Sequence, residues 1–216
     1  QLAAPGYPVF LGSEFEHPPI DKARFHILPV PYEATVSYQG GTGLGPAKIL
    51  EASWQLETWD GYSTPCEQGI YTHPPVNIKG KGAKIIKNIA KDIQKIVKMG
   101  GFPIALGGEH SITYGVVKGL LDAGIKDIGV IQIDAHADLR DAYLGDKYSH
   151  ASVMKRVVDE GIPVFQLGVR ALCHEEVAAR KKYGVYYLDA TELVPNNITS
   201  IDLPKDFPKN IFVTLK

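Results

Sequence analysis

Ile128-Gly129-Val130-Ile131-Gln132-Ile133-Asp134-Ala135-His136-Ala137-Asp138 is the stretch that decides how this chain is read. Its first half is a nearly unbroken apolar run of strand length, with the strand expected from Asp127 to Ile133. Such a run belongs to a strand covered on both faces, as in a parallel sheet held between helices. The sequence around it keeps the same rhythm. Strands are expected at 25–30, 102–106, 163–168 and 185–188, and again in the run from Asn210 to Lys216. Helices are expected between them at 111–123, 151–159 and 174–183. Strands alternating with helices of this length imply parallel crossovers. The predicted fold class is therefore α/β, a three-layer α/β/α sandwich with a mainly parallel sheet. Nothing reads as a linker, so residues 1–216 are expected to form a single domain.

Upstream, Lys81 to Met99 reads as a helix. Ile85, Ile89, Ile93 and Ile96 recur at spacings of three and four, and Gly100-Gly101 ends the pattern. Lys84, Lys87, Lys91, Lys95 and Lys98 lie on its other face. Asn88, Asp92 and Gln94 interrupt that stripe and no aromatics interleave, so it reads as a solvated face. Pro46 suits the first turn of a further helix running to Leu56. Residues 60 to 80 read as irregular.

Composition narrows the function classes. With 44% hydrophobic residues the chain can offset the cost of ordering itself, which excludes a disordered protein. No run of 18 apolar residues offers a membrane span. Lys plus Arg (23) balances Asp plus Glu (24), so no net charge draws the chain to nucleic acid or anionic membranes. Cys66 and Cys173 are too few for a disulfide framework and fit no zinc pattern. Free thiols in a reducing, cytoplasmic setting are expected. Gln1 to Pro5 lacks the basic and apolar regions of a signal peptide.

Three places carry candidate chemistry. Asp134, His136 and Asp138 follow a strand directly, and ligands of open α/β sheets bind beyond the carboxyl ends of strands. In extended backbone, alternate side chains face one way, so two carboxylates and an imidazole would converge. Oxygen-rich ligation with a minority of nitrogen suits Mn²⁺ better than Zn²⁺, Co²⁺ or Ni²⁺. Gly107-Gly108-Glu109-His110-Ser111 sits at a second strand end, and His110 reaches the first cluster if the strands are close. His150, in Tyr148-Ser149-His150-Ala151-Ser152, precedes a helix and has the right chemistry for a proton carrier. Gly41-Thr42-Gly43-Leu44-Gly45-Pro46 fits neither a dinucleotide fingerprint nor a P-loop. Cys173 and His174 are adjacent on a helix and do not face each other, so no cysteine nucleophile is expected. His17, His26 and His73 have no partners in sequence and read as surface or core residues.

The motifs Gly107-Gly108-Glu109-His110-Ser111 and Asp134-Ala135-His136-Ala137-Asp138, followed by His150, resemble the ureohydrolase family of arginases and agmatinases. The loop from Ser37 to Pro46 is similar to the agmatinase-like branch, and Gly168-Val169-Arg170 also fits. The resemblance implies a binuclear Mn²⁺ site in a complete enzyme. His110 and Asp138 would bind one ion, His136 the other, and Asp134 would bridge them. A hydroxide between the ions would attack a guanidinium carbon, Asp138 would orient it, and His150 would shuttle a proton. The implied reaction is hydrolysis of a linear guanidino compound, agmatine to putrescine and urea, in polyamine biosynthesis. Guanidinobutyrase, arginase and formimidoylglutamase activities are alternatives, as is a weak or non-catalytic binding protein. Gln39 and Gly43 stand where agmatinase-like loops often carry Arg, which leaves the substrate open. The implied partners are a small guanidino substrate and further copies of the chain, as a trimer or hexamer, with no nucleic acid and no membrane. The family's second aspartate pair is not found. Phe212-Val213-Thr214-Leu215-Lys216 resembles the start of that motif, with Lys216 at the position of its first Asp. A fragment of a longer enzyme is the favoured reading. The other is a true lysine that excludes one ion.

Overall fold

Residues 6–12 and 15–216 are described in the computed structural model, and the expectation about Gln1 to Pro5 lies outside them. The chain divides into two compact units, Gln1–Ala123 and Gly124–Lys216. The first contains β1 (Phe25–Val30), α1 (Gly45–Ala52), β2 (Ile70–Thr72), α2 (Ala83–Lys98), β3 (Phe102–Gly107) and α3 (Ile112–Asp122). The second contains β4 (Ile128–Ile133), α4 (Val153–Asp159), β5 (Val164–Leu167), α5 (His174–Tyr183), β6 (Tyr186–Leu188), α6 (Ala190–Leu193) and β7 (Asn210–Leu215). Strand order is β2-β1-β3 in one sheet and β6-β5-β4-β7 in the other. Every strand pair is parallel, with Phe25 opposite Ile70 and Phe102, and Val130 opposite Val164 and Phe212. This is an α/β fold with parallel sheets, as the apolar runs predict.

The isoleucine stripe of α2 is buried along Ile85, Ile89, Ile93 and Ile96, and its five lysines are exposed. The helix ends where Gly100 turns left-handed at φ +83°. The Gly100 and Gly101 N–H groups then donate to the Val97 and Ile96 carbonyls, the paired closure that a glycine terminus allows. Helix α3 lies against α2 through two glycines one turn apart. A Cβ on Gly115 would stand 2.8 Å from the Cβ of Ile89, and one on Gly119 would stand 2.5 Å from that of Ile93.

Several expectations need correction. Strand β2 lies inside the stretch read as irregular; its three residues are too short to show a period, yet all are buried. The helix expected from 151 opens as a 3-10 turn over His150–Ser152 and becomes α-helical at Val153. In β4 one face is covered, with Ile128, Val130 and Gln132 buried, while along the other Gly129 is buried, Ile131 half-buried and Ile133 exposed. Coverage of both faces also fails at β3 and β7, each at the edge of its sheet, which expose Phe102, Ile104, Ile211, Val213 and Leu215. No helix among the described residues is long and apolar enough to cross a membrane.

His26 and His73, unpartnered in sequence, meet across β1 and the end of β2. His26 Nδ1 and His73 Nε2 are 2.8 Å apart, and His26 Nε2 lies 3.1 Å from the Ala23 carbonyl. His26 therefore donates through Nε2 to Ala23 and accepts from His73. Burial, then the neighbouring His26, lowers the pKa of His73 to about 4. The folded state thus binds fewer protons than the unfolded chain between that value and the ordinary histidine value of 6.5. Stability is expected to be full above pH 6.5 and to decline as the pH falls toward 4, with urea midpoints across that range as the check. Gly119→Ala is expected to cost about 1–3 kcal/mol by overpacking α2 against α3, read as a lower denaturation midpoint.

Candidate metal centre

The second unit continues its sheet beyond the end of β4. The Asp134 N–H donates to the Leu167 carbonyl, and the Arg170 and Ala171 N–H groups both donate to the Ala135 carbonyl. His136 pairs with Ala171 in a parallel bridge. The segment 134–136 is thereby fastened along the continuation of β5. It turns away at Asp138, whose φ of +51° is left-handed. The Asp138 carbonyl accepts from Met154 and Lys155 N–H groups at the start of α4. The next N–H, of Leu139, donates to Glu176 Oε1 at 3.1 Å, and Glu176 Oε2 accepts from the Cys173 N–H at 2.8 Å. Cys173 is the N-cap residue of α5.

Asp134 is 4% exposed and Asp138 is 3% exposed. A carboxylate oxygen of one lies within 4.8 Å of a carboxylate oxygen of the other. Asp134 Oδ1 accepts from the His136 N–H at 2.9 Å and lies 3.3 Å from His136 Nδ1. Asp134 Oδ2 accepts from Gln132 Nε2 at 3.2 Å. The side chain of His136 is 54% exposed. Strict alternation therefore does not describe the segment. Extended backbone ends before Asp138, whose carboxylate reaches Asp134 through its left-handed turn, while His136 stays open to solvent.

The donor set fits a divalent cation. Two carboxylates so close and so buried repel unless cations compensate them. Oxygen donors with one accessible imidazole match the harder first-row ions. One cation is built into the chain: Lys216 Nζ lies 3.5 Å from Asp138 Oδ2. An ammonium there opposes a metal ion bound by the same oxygen.

In the first unit, His110 is buried at the end of β3, and its carbonyl accepts from the Thr113 N–H in α3. A Cβ on the nearby Gly108 would stand 2.3 Å from the Tyr32 carbonyl oxygen, so only glycine allows this close passage. Glu109 is an anchor that residue type alone does not reveal. Its buried carboxylate accepts from the Ala34 and Thr35 N–H groups at 2.8 and 2.7 Å, from the Thr35 hydroxyl at 2.8 Å and from the Ser111 hydroxyl at 2.6 Å. Glu33 does the same for the glycine-bearing loop, accepting from the Gly43 N–H at 2.6 Å and the Gly41 N–H at 2.9 Å. Those backbone donors, Gly43 first, hold the Glu33 carboxyl below its ordinary pKa. Gln39 is exposed on this loop.

His150 begins the 3-10 turn ahead of α4, half-buried, with its ring edge-on to Tyr143 at a centroid distance of 5.6 Å. Placement before a helix is as expected from sequence.

Residues 23–214 match the family model described as the Arginase family. The chain belongs to the arginase family. It is 38% identical over 178 residues to an N(1)-aminopropylagmatine ureohydrolase of Synechocystis sp., covering 79% of this chain and 58% of that one. It is 31% identical to an agmatinase of Pyrococcus horikoshii, covering 94% of this chain and 71% of that one. The agmatine ureohydrolase of Thermoplasma volcanium superposes with a TM-score of 0.79 at 25% identity, covering 92% of this chain and 68% of that one. This arginase-family chain thus spans 58% of the length of its Synechocystis relative.

Removing the Glu109 carboxylate takes the charged acceptor from the Ala34 and Thr35 N–H groups, and a hydrogen bond to a charged group is worth about 1.5–3 kcal/mol. Glu109→Ala is expected to strip hydrogen-exchange protection from the Ala34 and Thr35 amides while the amides of α2 keep theirs. Equal loss in both places would show that the carboxylate supports the whole unit and not the loop.

Proposed function

We propose that this chain is the catalytic part of a metal-dependent hydrolase of a linear guanidino compound, with agmatine as the first candidate. The observation that carries the reading is the pair of buried carboxylates, Asp134 and Asp138, at the end of β4 in an arginase-family chain. In this reading the two units make one ureohydrolase-like domain. His110, Asp134, His136 and Asp138 hold divalent metal, with Mn²⁺ preferred for its oxygen-rich ligands. Two ions belong to a complete site of this kind. Bound metal supplies a lower pKa for water and compensation for the charge that develops on the reacting group.

The chain's own residues do the rest. Asp134 presents its carboxylate from a backbone locked to the end of β5. Asp138 accepts a hydrogen bond from the attacking water and directs its lone pair at the guanidinium carbon. The imidazole of His150 carries a proton to the nitrogen of the departing amine, a task suited to a ring whose two nitrogens can accept and donate. A cytoplasmic enzyme of polyamine biosynthesis, assembled from several copies, is consistent with these assignments. A second substrate, N(1)-aminopropylagmatine, is favoured by the 38% identity to the Synechocystis relative.

The test loads the protein with Mn²⁺, counts bound metal, and measures urea from agmatine, N(1)-aminopropylagmatine, arginine and 4-guanidinobutyrate. Metal binding with urea from one of the first two is expected. Asp134→Asn and Asp138→Asn should each weaken metal binding by more than the 10–100-fold typical of partners outside the ligand set. Lys216→Ala should bind Mn²⁺ more tightly, because it releases Asp138 from its ammonium partner. Bound metal with no urea from any substrate would point to a ligand-binding relative, and no bound metal would overturn the reading.

A further inference from the structure

A line of polar groups, buried from Arg180 onward, crosses the second unit and ends on Asp134. It starts at Asp189, whose carboxylate accepts two hydrogen bonds from Arg180, at 3.0 and 2.9 Å. Arg180 Nε donates to Gln166 Oε1 at 2.8 Å. Gln166 Nε2 donates to Gln132 Oε1 and to the Ala137 carbonyl, both at 2.7 Å. Gln132 Nε2 donates to Asp134 Oδ2 at 3.2 Å and to the His136 carbonyl at 3.1 Å. Gln132 and Gln166 are opposite each other on β4 and β5, and neither has any solvent exposure.

The direction of every bond follows from its origin. A guanidinium donates and never accepts. Gln166 must therefore turn its oxygen toward Arg180 and its NH₂ toward Gln132. Gln132 is forced into the same sense, so donors face Asp134 and the two carbonyls. We propose that Gln132, Gln166 and Arg180 are positioning residues for the metal-binding segment Asp134–Asp138. They grip it at one carboxylate and two backbone carbonyls. The inference rests on the metal-binding reading above. Its physical basis is that a fully satisfied buried network is rigid, whereas a reversed or missing member leaves polar groups unpaired at low dielectric. Such partners orient ligands and commonly carry 10–100-fold of metal affinity.

Gln166→Glu is the sharpest probe. Glutamate keeps the shape and still accepts from Arg180, but as a carboxylate it cannot donate to Gln132 or to the Ala137 carbonyl. Mn²⁺ affinity by titration calorimetry and the visible spectrum of the Co²⁺-loaded protein are compared with the denaturation midpoint of the metal-free protein. The expected result is an affinity about 10–100-fold weaker with a shifted Co²⁺ spectrum. Val158→Ala, a cavity in the core of the same unit, should lower the midpoint and leave both metal readouts unchanged. Arg180→Lys, which keeps a donor for Gln166, should hold more affinity than Arg180→Met. If Gln166→Glu does not fold, that pair of Arg180 variants gives the same comparison. Unchanged affinity and spectrum in Gln166→Glu, or in both Arg180 variants, would overturn the positioning role. Absence of Mn²⁺ and Co²⁺ binding by the unaltered protein would instead overturn the metal-binding reading beneath it.

Discussion

Two carboxylates within 4.8 Å of each other, both almost out of water, set the terms for the second unit. Burial and mutual repulsion each penalise the ionised pair, so the surroundings must supply positive charge and hydrogen-bond donors. The unit does this from several directions at once. Lys216 brings an ammonium to Asp138, while Gln132 and the His136 backbone bring N–H groups to Asp134. The carbonyl of Asp138 receives the first N–H groups of α4, where the helix dipole is positive. A sheet of four parallel strands alone would need none of these devices. They make sense as the support for a charged centre at the strand ends.

Much of this was legible in the sequence, because the signals are periodic or local. The isoleucine stripe of α2 and the apolar runs of the strands come from burial on one face or two, and the structure follows them to within a few residues. The strand-end position of Asp134 and the helix-start position of His150 needed only the boundaries of neighbouring elements. What was illegible depends on long-range partners. Gln132 reads as a polar interruption in an apolar run, and its function appears only when Gln166 arrives from the next strand. Glu109 looks like part of a glycine motif, but its partners are 74 and 75 residues away in sequence. The three residues of β2 carry no period at all. At Asp138 the period-two rule broke down, since that rule assumes an extended chain and the chain there is not extended.

The first unit solves a different problem with similar means. A long loop rich in glycine is costly to order, and it has few side chains of its own to bury. Glu33 and Glu109 hold it from below, each accepting from backbone N–H groups that would otherwise need water. The exposed upper part of the loop, with Tyr38 and Gln39, is thus free to differ between relatives without disturbing the strand end that carries His110.

The left-handed backbone of Asp138 also narrows which residues the position tolerates. Among acidic side chains, the short one of aspartate enters that conformation more readily than the longer one of glutamate. An exchange of Asp for Glu, conservative by charge, would here displace the carboxylate and strain the main chain together. Asparagine accepts the same backbone with the same shape and no charge. Position 138 is thus one where loss of charge and loss of conformation can be separated by chemistry alone.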